Sequence, residues 1–134
     1  MPTVYEQLIT HVKETSLLAS AAGLLSWDQE TMMPPKGLTH RGEQIALLSR
    51  MVHEKATDPI IDEWLSQCEQ DNELVGDPIS VSAVNIREIR RTYDKATKLP
   101  AKLVEEMAHV TTHAKHEWVK ARQSNEYERF RPWL

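Results

Sequence analysis

Apolar positions recur along this chain with the period of α-helices. Val4, Leu8, Val12, Thr15, Ala19 and Ala22 share one face, with Gln7, Lys13 and Glu14 opposite. Thr3 and Glu6 have the spacing of a capping box, so a first helix is predicted from Val4 to about Ser26. From Leu17 to Leu25 every residue is apolar or small, the mark of a helix buried on all sides or lying at an interface. Such a helix is roughly 35 Å long. A compact bundle of this mass does not require that length, so something else is expected to cover it.

Four further helices follow. One runs over 39–56, capped by Thr39, with Ile45, Leu48 and Val52 inward. Asp58 and Pro59 read as N-cap and first-turn proline of a helix over 59–74, its inward side formed by Ile60, Ile61, Trp64, Leu65 and Cys68. After the break at Gly76-Asp77-Pro78, a helix over 79–97 puts Val81, Asn85, Ile89, Tyr93 and Ala96 on one face. A last one, over 100–124, has the core stripe Leu103, Met107, Val110, Ala114, Trp118 and Ala121. Asn125 can cap a final short turn. Phe130, Trp133 and Leu134 then place large apolar groups where a frayed terminus would carry polar ones, so they either dock on the bundle or belong to a longer natural chain. The expected fold is all-α: one helical domain over 1–134, about five helices and a C-terminal helical turn.

Composition supports this. There are four glycines in 134 residues, and the sequence is rich in Ala, Leu, Glu, Lys, Gln and Arg. The net charge of −4, with signs interspersed, gives no footprint for nucleic acid. No apolar run approaches a membrane span, and the lone Cys68 suits a reducing cytoplasm.

Between the first two helices lies Leu25-Ser26-Trp27-Asp28-Gln29-Glu30-Thr31-Met32-Met33-Pro34-Pro35-Lys36-Gly37, with Arg41 just beyond. Pro34 and Pro35 cannot continue a helix, and Gly37 permits a sharp reversal. The concentration of Trp27, Met32 and Met33 predicts a corner buried against the protein. Arg41 points to the side of Ile45 and Leu48, so it needs a carboxylate, and Asp28 is the nearest in sequence. A role for Asp28 or Glu30 as general acid or base has no histidine, serine or metal motif beside it.

Metal chemistry has one local candidate. His109, His113 and His116 fall at i, i+4 and i+7, and such pairs can chelate a transition ion. They lie opposite the apolar stripe of their helix, however, which predicts a solvated face rather than a metal site. His53-Glu54 and His116-Glu117 each lack the second histidine of H-E-x-x-H, having Thr57 and Lys120 there. No phosphate loop and no nucleophile elbow is present.

The corner segment, then His40-Arg41-Gly42-Glu43-Gln44-Ile45-Ala46-Leu47-Leu48-Ser49, resembles the N-terminal region of the Taq-type thermostable metallocarboxypeptidases. Arg87-Glu88-Ile89-Arg90-Arg91-Thr92-Tyr93, Leu99-Pro100, Trp118-Val119-Lys120-Ala121-Arg122 and Phe130-Arg131-Pro132-Trp133-Leu134 match in order. The resemblance implies a helical, cytoplasmic, often dimeric enzyme that releases C-terminal amino acids from peptides with a zinc or cobalt ion. That family's H-E-x-x-H helix lies downstream of any position here. By this resemblance Trp27, Asp28, Glu30, Met32, Pro34 and Arg41 are a structural signature of a lid or groove wall. The chain is expected to be incomplete relative to the full enzyme, inactive and metal-free alone, with the rest of the catalytic domain as partner. The exposed apolar surface would favour self-association. The alternative expectation is a free-standing helical interaction or dimerisation module that has lost the enzyme.

Overall fold

The computed structural model describes every residue, Met1–Leu134, and is built of helices with no strand. In chain order these are α1 (Val4–Thr31), a 3-10 turn (Pro35–Gly37), α2 (Leu38–Ala56), α3 (Pro59–Gln70), α4 (Asn72–Val75), α5 (Val81–Ala96), α6 (Ala101–Ser124), α7 (Tyr127–Phe130) and a closing 3-10 turn (Arg131–Trp133). The all-α class read from the sequence is the observed one. Contacts gather into two units, Met1–Leu18 with Val52–Pro100, and Ala19–Met51 with Ala101–Leu134.

Side chains set most helix ends. At the start of α1, Thr3 N donates to Glu6 Oε2 at 2.7 Å and Glu6 N to Thr3 Oγ1 at 3.2 Å, a reciprocal capping box. Asp58 accepts from Ile60 N at 3.0 Å and opens α3. That helix stops at Gln70, short of the expected Leu74. Asp71 turns extended there and accepts from Glu73 N, starting the separate α4. A short carboxylate competing for a nearby N–H is a standard reason for such a break. Ser80 caps α5 through Ala83 N at 3.2 Å.

The first unit has a continuous apolar core. Leu8, Ile61, Leu65, Cys68 and Ile86 are buried, with Val12, Trp64, Ile89 and Tyr93 packed around them. Burial pushes the Cys68 thiol up, so it stays protonated. His53, buried in α2, donates from Nε2 to Leu99 O at 2.5 Å and ties down the segment before α6. Arg90 lies between Asp62 and Glu69. Its bidentate hydrogen bonds to Glu69 at 2.8 and 3.1 Å hold the guanidinium firmly charged.

The second unit buries little apolar surface of its own. Ile45, Ala46, Thr112 and Ala121 are buried. Here the expected facing of α6 holds at Ala121 but fails at the large side chains of the stripe. Leu103, Met107, Val110 and Trp118, assigned to the core by periodicity, are 41, 53, 46 and 50% exposed. The opposite face, small and polar, turns inward. Thr112 is satisfied there by donating to Ala108 O at 2.8 Å, while its own carbonyl accepts from Gln29 Nε2 at 3.1 Å. Across from this face, α2 carries Gly42, where a Cβ would lie 3.2 Å from His113 Nε2. No helix of the chain is long and apolar enough to cross a membrane.

Candidate functional site

The corner between α1 and α2 forms, but not where or how the sequence suggested. α1 continues past Ser26 to Thr31, because nothing before Met33 is restricted by Pro34. The helix then closes with Met32 N and Met33 N both donating to Asp28 O at 2.9 Å. Pro34 is extended (φ −60°, ψ 144°) and leads into the 3-10 turn. Gly37 does not use a left-handed conformation. Its missing side chain matters instead, since a Cβ there would lie 3.3 Å from Met33 Cγ.

Inside the corner is an ion pair. Arg41 Nη1 donates to Asp28 Oδ2 at 2.7 Å and to Leu25 O at 2.8 Å, and Arg41 Nε donates to Gln44 Oε1 at 3.2 Å. Arg41 is 14% exposed and Asp28 34%. The guanidinium thereby fastens the first turn of α2 to the last turns of α1. The carboxylate expected to meet Arg41 is the one that does. Glu30 instead pairs with Lys115 at 2.7 Å on the surface.

Two apolar members of the corner, Trp27 and Met32, point outward, while Met33 stays half-buried against Gly37. Trp27 is 59% and Met32 75% exposed, so the buried corner expected from these side chains is not what forms. The polar pair occupies the interior and the indole and thioether lie outside. Beside Glu30 opens a cleft of about 530 Å³, bounded by Gln29, Lys115, His116, Trp118 and Val119.

The histidines of α6 also depart from expectation. His109 is exposed, but His113 and His116 are half-buried rather than solvated. The His109 and His113 rings are 4.6 Å apart, and Trp133 stacks on His113 at 6.1 Å and 9°. The terminal Trp133 thus docks on its own unit, while Leu134 is 82% exposed. His113 Nε2 is buried without a hydrogen bond and faces Gly42, where a Cβ would lie 3.2 Å away. That nitrogen has no open side for an ion. Across the chain no three His, Cys, Asp or Glu side chains are placed to share a metal, so these residues do not fit the ion the resemblance implies. Gly42 and Trp133 were not singled out in the sequence as partners of His113. A glycine inside a helix, at about 1 kcal/mol below alanine, was the available signal.

Two titrations follow from this packing. Arg129, hydrogen-bonded to Glu117 at 2.7 Å, holds that carboxyl below its usual value. Burial, and then the Lys120 charge, lower His116 below its ordinary 6.5. A base with a depressed native pKa binds fewer protons folded than unfolded, so stability is full above the unfolded value and declines as pH falls through it. The urea midpoint of the chain is expected to fall between pH 8 and pH 5.5. His116→Gln should flatten part of that slope, and an unchanged slope would refute the assignment.

The molecule is therefore an all-α polypeptide whose corner between α1 and α2 is held by a partly buried ion pair. The family model described as Carboxypeptidase Taq (M32) metallopeptidase matches residues 7–134, and the chain belongs to that family. Thermostable carboxypeptidase 1 of Thermus thermophilus is 42% identical over 130 residues, covering 97% of this chain and 25% of that protein. Trypanosoma cruzi metallocarboxypeptidase 1 superposes with a TM-score of 0.70 at 31% identity, over 97% of this chain and 25% of that one. The crystal structure of BsuCP shares the fold, with a TM-score of 0.86 at 21% identity over 98% of this chain and 26% of that one. The chain spans about a quarter of the length of the relatives it matches.

Proposed function

We propose that this chain is the N-terminal helical portion of a metal-dependent carboxypeptidase, serving as a lid or groove wall beside the peptide-binding region. The observation that carries the reading is the family match over nearly the whole chain combined with coverage of only a quarter of each relative. The exposed Trp27 and Met32, fixed by the Arg41–Asp28 pair behind them, suit a wall that presents apolar side chains to a peptide. In the whole enzyme a zinc or cobalt ion bound by residues outside this chain would supply the activated water. The partner is the remainder of the catalytic domain. A cytoplasmic location and a homodimer of the whole enzyme belong to the same proposal.

On its own the chain should hydrolyse nothing. Incubated with zinc or cobalt and a matched pair of dipeptides, one with a free and one with a blocked C-terminus, it is expected to release no amino acid from either. Turnover that depends on the free carboxylate would refute this.

A further inference from the structure

The outward-facing large side chains of α6 leave an organised surface. Leu103, Met107, Val110, Ala114 and Trp118 recur at spacings that one helix presents to another. Four of them are exposed by two-fifths or more. One turn beyond Trp118 stands Arg122. Every other arginine of the chain pairs with a carboxylate, whereas Arg122 has neither an ion pair nor a hydrogen bond. It borders a cleft of about 360 Å³ walled by Trp118, Tyr127 and Phe130. Asn125, also on that cleft, closes α6 with a left-handed backbone at φ 55°, which asparagine adopts readily after a helix.

We infer that the α6 stripe and the Arg122 cleft form one docking surface. Its occupant is a helix of the longer polypeptide, presenting apolar side chains to Leu103, Met107, Val110 and Trp118 and a carboxylate to Arg122. This deepens, and rests on, the reading of the chain as part of a larger enzyme. Charge disfavours an antiparallel pair of copies as the occupant. By helical phase, Glu106 and Glu117 edge one side of the stripe and Lys115 and Arg122 the other. An antiparallel pair of α6 helices would set each edge against its like. A parallel pair would bring Arg122 towards the edge of Glu117, whose carboxylate is already held by Arg129 at 2.7 Å and Lys120 at 3.4 Å. A parallel second copy would thus offer Arg122 only a carboxylate that two cations already share. The relatives are about four times as long as the matched segment, and that length is the ground for placing the occupant in a longer polypeptide.

The test joins this chain to the T. thermophilus thermostable carboxypeptidase 1 in place of that enzyme's own N-terminal quarter. Val110→Glu and Arg122→Glu are compared in the fusion and in the isolated chain. In the isolated chain both sites face solvent, and neither change should lower the thermal midpoint. In the fusion each should lower it by about 4 °C or more. A folded, active fusion indifferent to both changes overturns the docking inference and leaves the functional reading intact. A fusion that fails to fold or to hydrolyse counts against the functional reading, and with it the inference. A discrete dimer of the isolated chain that Val110→Glu converts to monomer would also overturn the inference, by giving the face to a second copy.

Discussion

Arg41→Ala is expected to lower the unfolding free energy of the isolated chain by about 2–4 kcal/mol, the cost of leaving a partly buried carboxylate without its counter-charge. The change removes the bond to Asp28 at 2.7 Å and the bond to Leu25 O at 2.8 Å. Arg41→Lys should recover only part of the loss, because one ammonium cannot reproduce the guanidinium's fork to Asp28, Leu25 O and Gln44. Urea unfolding followed by far-ultraviolet circular dichroism measures all three proteins. If Arg41→Ala unfolds at the wild-type midpoint, the pair does not hold the corner.

The second large effect is at Gly42. In an exposed helix, replacing glycine by alanine is worth about 1 kcal/mol of stabilisation. Here the added Cβ would lie 3.2 Å from His113 Nε2 and 3.7 Å from His109 Cδ2. Gly42→Ala should therefore gain nothing, as the ring must shift to admit the methyl group. Gly42→Val should cost about 2–3 kcal/mol by overpacking, and it should unstack Trp133 from His113, visible as a change in tryptophan fluorescence. A Gly42→Val protein as stable as wild type, with unchanged emission, would show that the two helices do not meet as described.

The legible part of this molecule was whatever local chemistry decides. Thr3 with Glu6, and Asp58 with Pro59, announced helix starts because capping is a contact between near neighbours in sequence. The core residues of α3 were readable because that face has a partner inside the chain. The family itself was readable from the ordered segments around Trp27, Arg41, Arg90 and Trp118.

The facing of α6 was not legible, and the reason is physical. Periodicity says which face is apolar, not whether its partner lies within the same stretch of chain. In α6 the large apolar side chains have none within these residues, while the opposite face meets Gly42 through His113 and Gln29 through the Thr112 carbonyl. The same reasoning accounts for the corner. Sequence identified Asp28 and Arg41 as a pair, yet it assigned Trp27 and Met32 inward on hydrophobicity alone. It also placed the histidines in solvent, because the glycine that admits His113 lies on another helix, 71 residues earlier (113 − 42).

On the proposed function, this segment supplies architecture to a catalyst whose reacting groups lie elsewhere. The fusion to the T. thermophilus body tests that most directly when it is assayed for amino-acid release from a dipeptide with a free C-terminus, beside the same dipeptide blocked. Release within about tenfold of the parent enzyme, confined to the free-carboxylate substrate and abolished by removing the metal, is the predicted result. A fusion that folds as cooperatively as the parent yet releases nothing would contradict it.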